Sequence, residues 1–346
     1  MIDQNKKPTI SDVARLAGTS KRTVSRVLNG SALVNEETRE KVQAVIQELH
    51  YEPNRYARGL AAKRSYLVGL VYDNPDPLFI DQVLRGLLSK LGEAGFELVV
   101  HPCTYGSSDL VQDVMQFIQR VQLDGVVIMP PVSELNYLAG ALKDVGCPYV
   151  RIESVEQDRA ENTVVSDDRS AIRELTASLA AQGHQRIGFV PGPTQYLSAR
   201  ERLAGYEAGL RDSGLNLVAR YVAQQGDYSF ESGMKAAEYL LKQSPAPTAI
   251  IASNDHMAVG VMNQASLMGF KVPDDLSVTG FDDSILAARV LPALTTVRRP
   301  IRQMAALAAG KLLALISGDE AASRRVQTHV QPEIVVRSSS ASPGQQ

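Results

Sequence analysis

The chain has 346 residues, a hydrophobic content of 44% and a formal net charge of −2, which is ample for more than one compact core, since single cores stop growing near ~250 residues. The opening stretch MIDQNKKPTISDVARLAG has no apolar segment of signal-peptide type, and nowhere do about 18 apolar residues run together, so a soluble cytoplasmic protein without a membrane span is expected. Cys103 and Cys147 are the only cysteines; they argue against a disulfide framework, and neither lies at zinc-ligand spacing from a histidine.

Charge is unevenly spread. Residues 1–64 hold twelve lysines and arginines against seven aspartates and glutamates, a net of +5 that leaves −7 for the remainder. The short N-terminal segment is therefore the part that faces a polyanion. Within it, TISDVARLAG predicts a helix capped by Thr9 or Ser11, with Ile10, Val13, Ala14 and Ala17 on one face and Gly18 allowing a sharp turn. SKRTVSRVLN predicts a second helix, capped by Ser20 and burying Val24, Val27 and Leu28, while Lys21, Arg22, Ser25, Arg26 and Asn29 point elsewhere. NEETREKVQAVIQELH predicts a third, capped by Asn35 and burying Val42, Val45, Ile46 and Leu49. Three short helices with a tight turn between the first two describe a helix-turn-helix module. Its second helix would enter the DNA major groove, hydroxyls and N-terminal amides toward phosphate and cations toward guanine edges. Taken alone, SKRTVSRVLN fits a solvated face on a small bundle equally well.

After a break at Pro53, residues 53–65 (PNRYARGLAAKRS) set Ala57, Ala61 and Ala62 around Leu60 and interleave Arg55, Arg58, Lys63 and Arg64. Such a segment is either a flexible linker or a minor-groove element whose Leu wedges into a base step. It is too short to be helical alone in water and is expected to fold only on DNA. Through TISDVARLAGTSKRTVSRVLN, TREKVQAVIQELHYEPN and LAAKRS, residues 9–65 resemble the DNA-binding headpiece and hinge of the LacI/GalR family of bacterial transcription regulators. The resemblance implies that Lys21, Arg22 and Arg26 read bases and that Leu60 intercalates. Ser20, Ser25, Asn29, Asn54 and Arg55 complete the expected DNA face.

From residue 66 onward, apolar runs alternate with helix-length stretches. LVGLVY, FELVVHP, DGVVIM and YVRI are strand-like, and the pattern restarts after AENTVVSDD with RIGFVPG, RYVAQQ, PTAIIAS and LSVTGFDD. This predicts two α/β lobes with parallel sheets covered by helices on both faces. In such folds a cleft forms at the carboxyl ends of the strands. The candidate cleft loops are YDNPDPLF, PGPTQYLSARER, QQGDYSF, ASNDHMA and GFDDS. They bring Arg202, Asn254, Asp255, Asp282 and Asp283 as polar forks and Phe79, Tyr228 and Phe281 as flat apolar faces, a mixture suited to a sugar ring. Each has a plain structural alternative: Asp255 and Asp283 as helix caps, Phe79 and Phe281 as core, and Arg202 in an ion pair with Glu201 or Asp282.

SARERLAGY, SNDHMAVG, SVTGFDD, LPALTTVRRP and PEIVVR are similar to marker strings of the periplasmic-binding-protein-like effector domain of LacI/GalR regulators. The resemblance implies effector contacts from Arg202, Asn254 and Asp282, with Tyr228 at a position that stacks on sugars and Phe79 beside them. In VVSDDRSAIREL this chain has Asp167 and Asp168 where many relatives carry Asp-Asn, and Ala171 where they carry Gly, which leaves the role of Asp167 open. The expected organisation is an all-α headpiece at residues 1–52, a hinge helix and linker at 53–66, a two-lobed domain at 67–338, and a disordered tail at 339–346. Lobe 1 would take residues 67–165 and 296–322, lobe 2 residues 166–295 and 323–338.

P-loop, GxSxG and HExxH motifs are missing from the sequence, and His50, His101, His184, His256 and His329 are scattered, His184 reading as a packing residue at a helix-to-strand turn. Neither catalysis nor a cofactor is expected. A solute-binding protein of transport or chemoreception would share the two-lobed body but not the headpiece. The expected partners are a pseudopalindromic operator DNA, a mono- or disaccharide effector and a second copy of the chain, with DQVLRGLLSKLG offering an apolar face to it.

Overall fold

A computed structural model describes residues 8–28, 31, 33–51, 64–74 and 76–343. They fall into two compact units, Met1–Tyr66 and Leu67–Gln346. Among the described residues no helix is long and apolar enough to cross a membrane.

The described residues of the first unit form three helices, α1 (Ile10–Leu16), α2 (Lys21–Leu28) and α3 (Glu36–Glu48). Each start has a local cause. Thr9, not Ser11, precedes α1, its N–H and hydroxyl donating to the Asp12 carboxylate at 3.0 and 2.7 Å. Ser20 Oγ accepts from Thr23 N–H at 3.1 Å, and Asn35 Oδ1 from Thr38 N–H at 2.9 Å. Gly18 makes the turn after α1 at φ +63°, a backbone conformation costly to a residue with a Cβ. Val13, Ala14, Val24, Val27, Val34, Val42 and Tyr51 close a small core.

The second unit contains two sheets. Lobe 1 is built on β1 (Leu67–Tyr72), β2 (Glu97–Pro102), β3 (Gly125–Ile128), β4 (Tyr149–Glu153), β5 (Thr163–Ser166) and β10 (His329–Val330), in the order β10-β5-β4-β3-β1-β2, all parallel. Helices α4 (Pro77–Glu93) and α11 (Ile301–Ile316) cover one face, and α5 (Leu110–Val121) and α6 (Asn136–Asp144) the other. Lobe 2 is built on β6 (Ile187–Val190), β7 (Ala249–Ala252), β8 (Ser277–Phe281), β9 (Thr295–Arg298) and β11 (Glu333–Val335), in the order β11-β9-β8-β7-β6 with only β11 antiparallel. Its helices are α7 (Asp168–Ala181) and α8 (Leu197–Asp212) on one face, α9 (Phe230–Leu241) and α10 (Asp255–Leu267) on the other. Along β7, Ile250 and Ala252 enter one core and Ala249 and Ile251 the other, the period of two that a sheet buried on both faces requires.

The chain crosses between lobes three times, at residues 166–168, 298–301 and 330–333. These crossings correct the expected lobe boundaries. β9 stays with lobe 2, because Thr279, Gly280 and Phe281 of β8 pair with it. Residues 323–330 stay with lobe 1: α12 (Glu320–Arg325) is tied down by Arg324 on Glu161, and Val165 N–H donates to Thr328 O at 2.7 Å. RYVAQQ is not a strand either. Ala219–Tyr221 is a 3₁₀ turn, and only Val222 bridges to Phe189 before the chain turns toward Tyr228.

The tail is ordered as far as Pro343, contrary to its small, polar composition. Ser339 is fully buried; its Oγ donates to Val278 O at 2.6 Å and accepts from Thr295 N–H at 2.8 Å, and Val278 N–H donates to Ser339 O. Ala341 O accepts from His184 Nε2 at 2.9 Å, which places the proton on Nε2 and leaves Nδ1 to accept from Thr248 Oγ1. Ser339→Ala leaves two strand-end groups buried and unpaired, and is expected to lower stability by about 2–3 kcal/mol in urea unfolding. A loss below about 0.5 kcal/mol would show that the docked tail contributes nothing.

Candidate functional site

In the first unit, Val24 and Val27 of α2 face the core, while Lys21 and Arg22 are exposed and Ser25 and Arg26 half-buried. Among the described residues none of these three cations is held in an ion pair. Ser20, at the helix start, shares a hydrogen bond with Thr23 Oγ1 at 2.9 Å. The face offered to solvent therefore carries unpaired cations and hydroxyls around one helix N-terminus, a surface fitted to phosphate and base edges. Asn29, Asn54, Arg55 and Leu60 lie outside the described residues.

In the second unit, a cavity of about 460 Å³ opens between the lobes. Lobe 1 supplies Asp73, Asn74, Asp76 and Phe79 from the end of β1 and the start of α4; lobe 2 supplies Tyr196 and Arg202 from α8, Asp227 and Tyr228 before α9, Asn254 and His256 at α10, and Asp282 after β8. Arg299, on the second crossing, completes the wall. The cleft thus brings together Phe79, Arg202, Tyr228, Asn254 and Asp282.

Their bonding is more specific than loop position alone implies. Arg202 stacks over Phe281 at 3.9 Å, and its Nε and Nη2 donate to Asp168 Oδ2 at 3.1 and 3.0 Å while Nη1 donates to Ser253 O. Its partner is neither Glu201, which binds Arg169, nor Asp282, which faces Arg299. Asp168 is fully buried and also accepts from Ser166 and Ser154, with Arg299 Nη1 at 3.5 Å. Burial alone would raise its pKa, but the two guanidinium groups outweigh burial and hold it below the ordinary carboxylate range. Asp167 has a settled place as the cap of α7, accepting from Ser170 N–H.

Asn254 caps α10 through Met257 N–H at 2.9 Å, and its Nδ2 donates to Tyr228 O at 3.0 Å. That bond holds Tyr228 at φ +68°, where a side chain is rarely found. The ring lies against Gly192, where a Cβ would fall 2.4 Å from it. Ser198 is near enough to act on the Tyr228 hydroxyl, yet no hydrogen bond of ordinary geometry forms. Asp282 sits at φ +102°, kept there by its N–H on Val297 O at 2.8 Å, and its Oδ1 meets Arg299 Nε at 3.5 Å without either atom completing a hydrogen bond. Strain and unsatisfied polar atoms gathered at one cavity mark a site built for something other than stability.

The structural alternatives resolve individually. Phe281 is core. Asp255 does not cap α10; its carboxylate accepts from Thr296 Oγ1 and Ser284 N–H. Asp283 caps no helix and pairs with Arg298 and Arg337. Asp168, Arg299 and Tyr196 lie in VVSDDRSAIREL, LPALTTVRRP and PGPTQYLSARER without having been singled out as site residues, and Glu134 lies in none of the motif strings. Glu134 reaches from lobe 1 to the start of α8, accepting from Leu197 and Ser198 N–H at 2.7 and 3.2 Å.

The fold and the cleft define a two-lobed ligand-binding body carried on a helix-turn-helix unit. Residues 9–54 match the family model "Bacterial regulatory proteins, lacI family", and residues 176–340 the "Periplasmic binding protein-like domain". The "Probable HTH-type transcriptional repressor ExuR" of Bacillus subtilis (strain 168) is 32% identical over 96% of this chain and 98% of its own. Among solved structures, a transcriptional regulator CelR–cellobiose complex covers 96% of this chain and 99% of its own at 30% identity and a TM-score of 0.70. A Lac repressor dimer bound to operator and the anti-inducer ONPF covers 97% and 100% at 29% and 0.77. The chain belongs to the LacI family of bacterial transcription regulators, and its second unit is the effector-binding domain of that family.

Asp168→Ala would leave two buried guanidinium groups without their counter-ion. A loss of about 3–5 kcal/mol in unfolding free energy is expected at neutral pH. Because folding lowers the Asp168 pKa, this contribution is present above the ordinary carboxylate range and is lost as pH falls through the lower folded value. Denaturation curves of both proteins from neutral to strongly acid pH should therefore converge at the acid end. A gap that stays constant would refute the ionic account.

Proposed function

We propose that the protein is a homodimeric, sugar-responsive repressor. The α2 face of Ser20, Lys21, Arg22, Ser25 and Arg26, with Asn29, would read the major groove of a pseudopalindromic operator. Asn54, Arg55 and Leu60 would act in the hinge. Phe79, Arg202, Tyr228, Asn254 and Asp282 would hold a mono- or disaccharide. The observation that carries the sugar reading is the Tyr228 ring, packed closely against Gly192 with its hydroxyl unbonded, beside polar forks from Arg202 and Asn254. A sugar offers C–H faces to the ring and hydroxyls to the forks. Tyr196, at 6.4 Å from Tyr228 and edge-on to Tyr105 at 5.1 Å, extends the apolar wall in keeping with a second ring. Solute binding for transport is disfavoured by the helix-turn-helix unit on the same chain.

A ligand touching both lobes stabilises one lobe orientation over another, and the coupling is reciprocal. An effector that weakens operator affinity must itself bind less tightly to the DNA-bound form.

Fluorescence anisotropy on DNA from upstream of its own coding region, with and without a panel of sugars, tests the reading. Tight, salt-sensitive binding that one sugar weakens is expected; binding that appears only with ligand would make it a corepressor instead. Arg26→Ala should lose about 1–3 kcal/mol of operator discrimination with sugar affinity unchanged. Equal loss of both would sink the assignment of roles to the two units.

A further inference from the structure

The carboxylates of the cleft outnumber its cations, and each cation already faces a carboxylate. Among its described lining residues, the carboxylates Asp73, Asp76, Asp227 and Asp282 stand against two guanidinium groups, Arg202 and Arg299. Both cations are already matched: Arg202 by Asp168 at 3.0 Å, Arg299 by Asp168 and Asp282 at 3.5 Å each. Asp168, immediately behind them, is a fifth negative group. His256 Nδ1 lies 3.6 Å from Asp76.

The backbone offers an anion no better welcome. Four helices begin at the cleft wall, and such ends ordinarily attract negative groups through their free N–H donors and the helix dipole. Here each already holds a side-chain acceptor. Asp76 accepts from Leu78 N–H of α4, Glu134 from Leu197 and Ser198 N–H of α8, Ser229 Oγ from Ser232 N–H of α9, and Asn254 from Met257 N–H of α10. Two of the four occupants are themselves carboxylates. What remains open on the acceptor side is the unbonded Oδ1 of Asp282 and the spare lone pairs of Asp73, Asp76 and Asp227; on the donor side it is the Tyr228 hydroxyl, the N–H groups that Arg202 and Asn254 have left, and Arg299 Nε, which lies 3.5 Å from Asp282 Oδ1.

We infer that the effector is a sugar without negative charge, and that the cleft rejects the uronate, aldonate or phosphorylated counterpart of the same sugar. The inference rests on the sugar reading above. Sugar hydroxyls donate to ionised acceptors in short, charge-assisted bonds. A ligand carboxylate in the same place meets like charge in a partly desolvated cavity, where repulsion is poorly screened.

The test is calorimetric titration of the full-length protein with matched ligands: glucose against glucuronate and glucose 6-phosphate, galactose against galacturonate and galactose 6-phosphate, cellobiose and lactose against cellobionate and lactobionate. At least one neutral sugar is expected to bind, each anionic counterpart being weaker by about tenfold or more. An anionic member that binds as tightly as its neutral counterpart, or more tightly, overturns the inference and leaves the sugar reading standing. Binding by no member of either arm overturns the sugar reading itself. Asp76→Asn keeps a competent helix cap but removes one charge, and should raise the affinity of the anionic counterpart by about threefold or more relative to the neutral one. An unchanged ratio would show that cleft charge does not discriminate.

Discussion

Everything at the junction of the lobes leans on one buried carboxylate. Asp168 occupies the first turn of α7, immediately after the chain leaves lobe 1, and it gathers Arg202 of lobe 2, Arg299 of the second crossing and Ser154 of lobe 1 around two oxygens. Three charges removed from water are costly unless mutually satisfied. Here the geometry satisfies them only when the crossings and α8 are in register. Asp168 thereby fixes where Arg202 ends, and Arg202, stacked on Phe281, forms part of the ligand wall. The same ion cluster that joins the lobes also shapes the surface a ligand meets.

A second set of constraints holds the cleft in a conformation its residues would not choose alone. Tyr228 and Asp282 both adopt positive φ, at a cost of order 1–3 kcal/mol each. Neighbours hold each in place: Asn254 by bonding the Tyr228 carbonyl, Val297 by accepting the Asp282 N–H. Asn254 uses one side chain to start α10, to fix the Tyr228 backbone and to line the cavity. Asp282 Oδ1 and the Tyr228 hydroxyl find no protein partner of ordinary geometry, which leaves both open to water or to a bound molecule.

What the sequence makes legible follows from the range of the interactions involved. The three headpiece helices, their caps and most strands are written in patterns a few residues long, and local rules read them correctly. Phe79, Arg202, Asn254 and Asp282 were legible as cleft residues because each lies in a loop or helix that follows a strand end; Tyr228 was placed there by its family position, the strand expected before it being a 3₁₀ turn. The partner of Arg202 was not, since Asp168 lies 34 residues away and Arg299 131 residues from Asp168, and the strings that contain them do not show what they pair with. β10 and β11 escape for another reason: two or three residues cannot show a period. The tail misleads by composition. Small polar residues usually mean disorder, but serine hydroxyls at strand ends can replace backbone partners, and Ser339 does so twice over.

The lobes also contact each other directly, and that bears on how a ligand could act. Glu134 bonds the start of α8, His256 faces Asp76, and Tyr105 lies edge-on to Tyr196, each pair joining lobe 1 to lobe 2. Burial raises the Glu134 pKa even though two N–H groups and nearby arginines favour its ionised form, a sign that this contact is itself partly desolvated. The junction of the lobes therefore has favourable interactions of its own. A ligand would act by binding one lobe orientation better than another, and by no more than that difference could it move the equilibrium. The residues able to supply the difference are those that a bridging molecule touches on both sides at once: Asp76 and Phe79 from lobe 1, Arg202, Tyr228 and Asn254 from lobe 2. Contacts confined to one lobe would tighten binding without shifting anything.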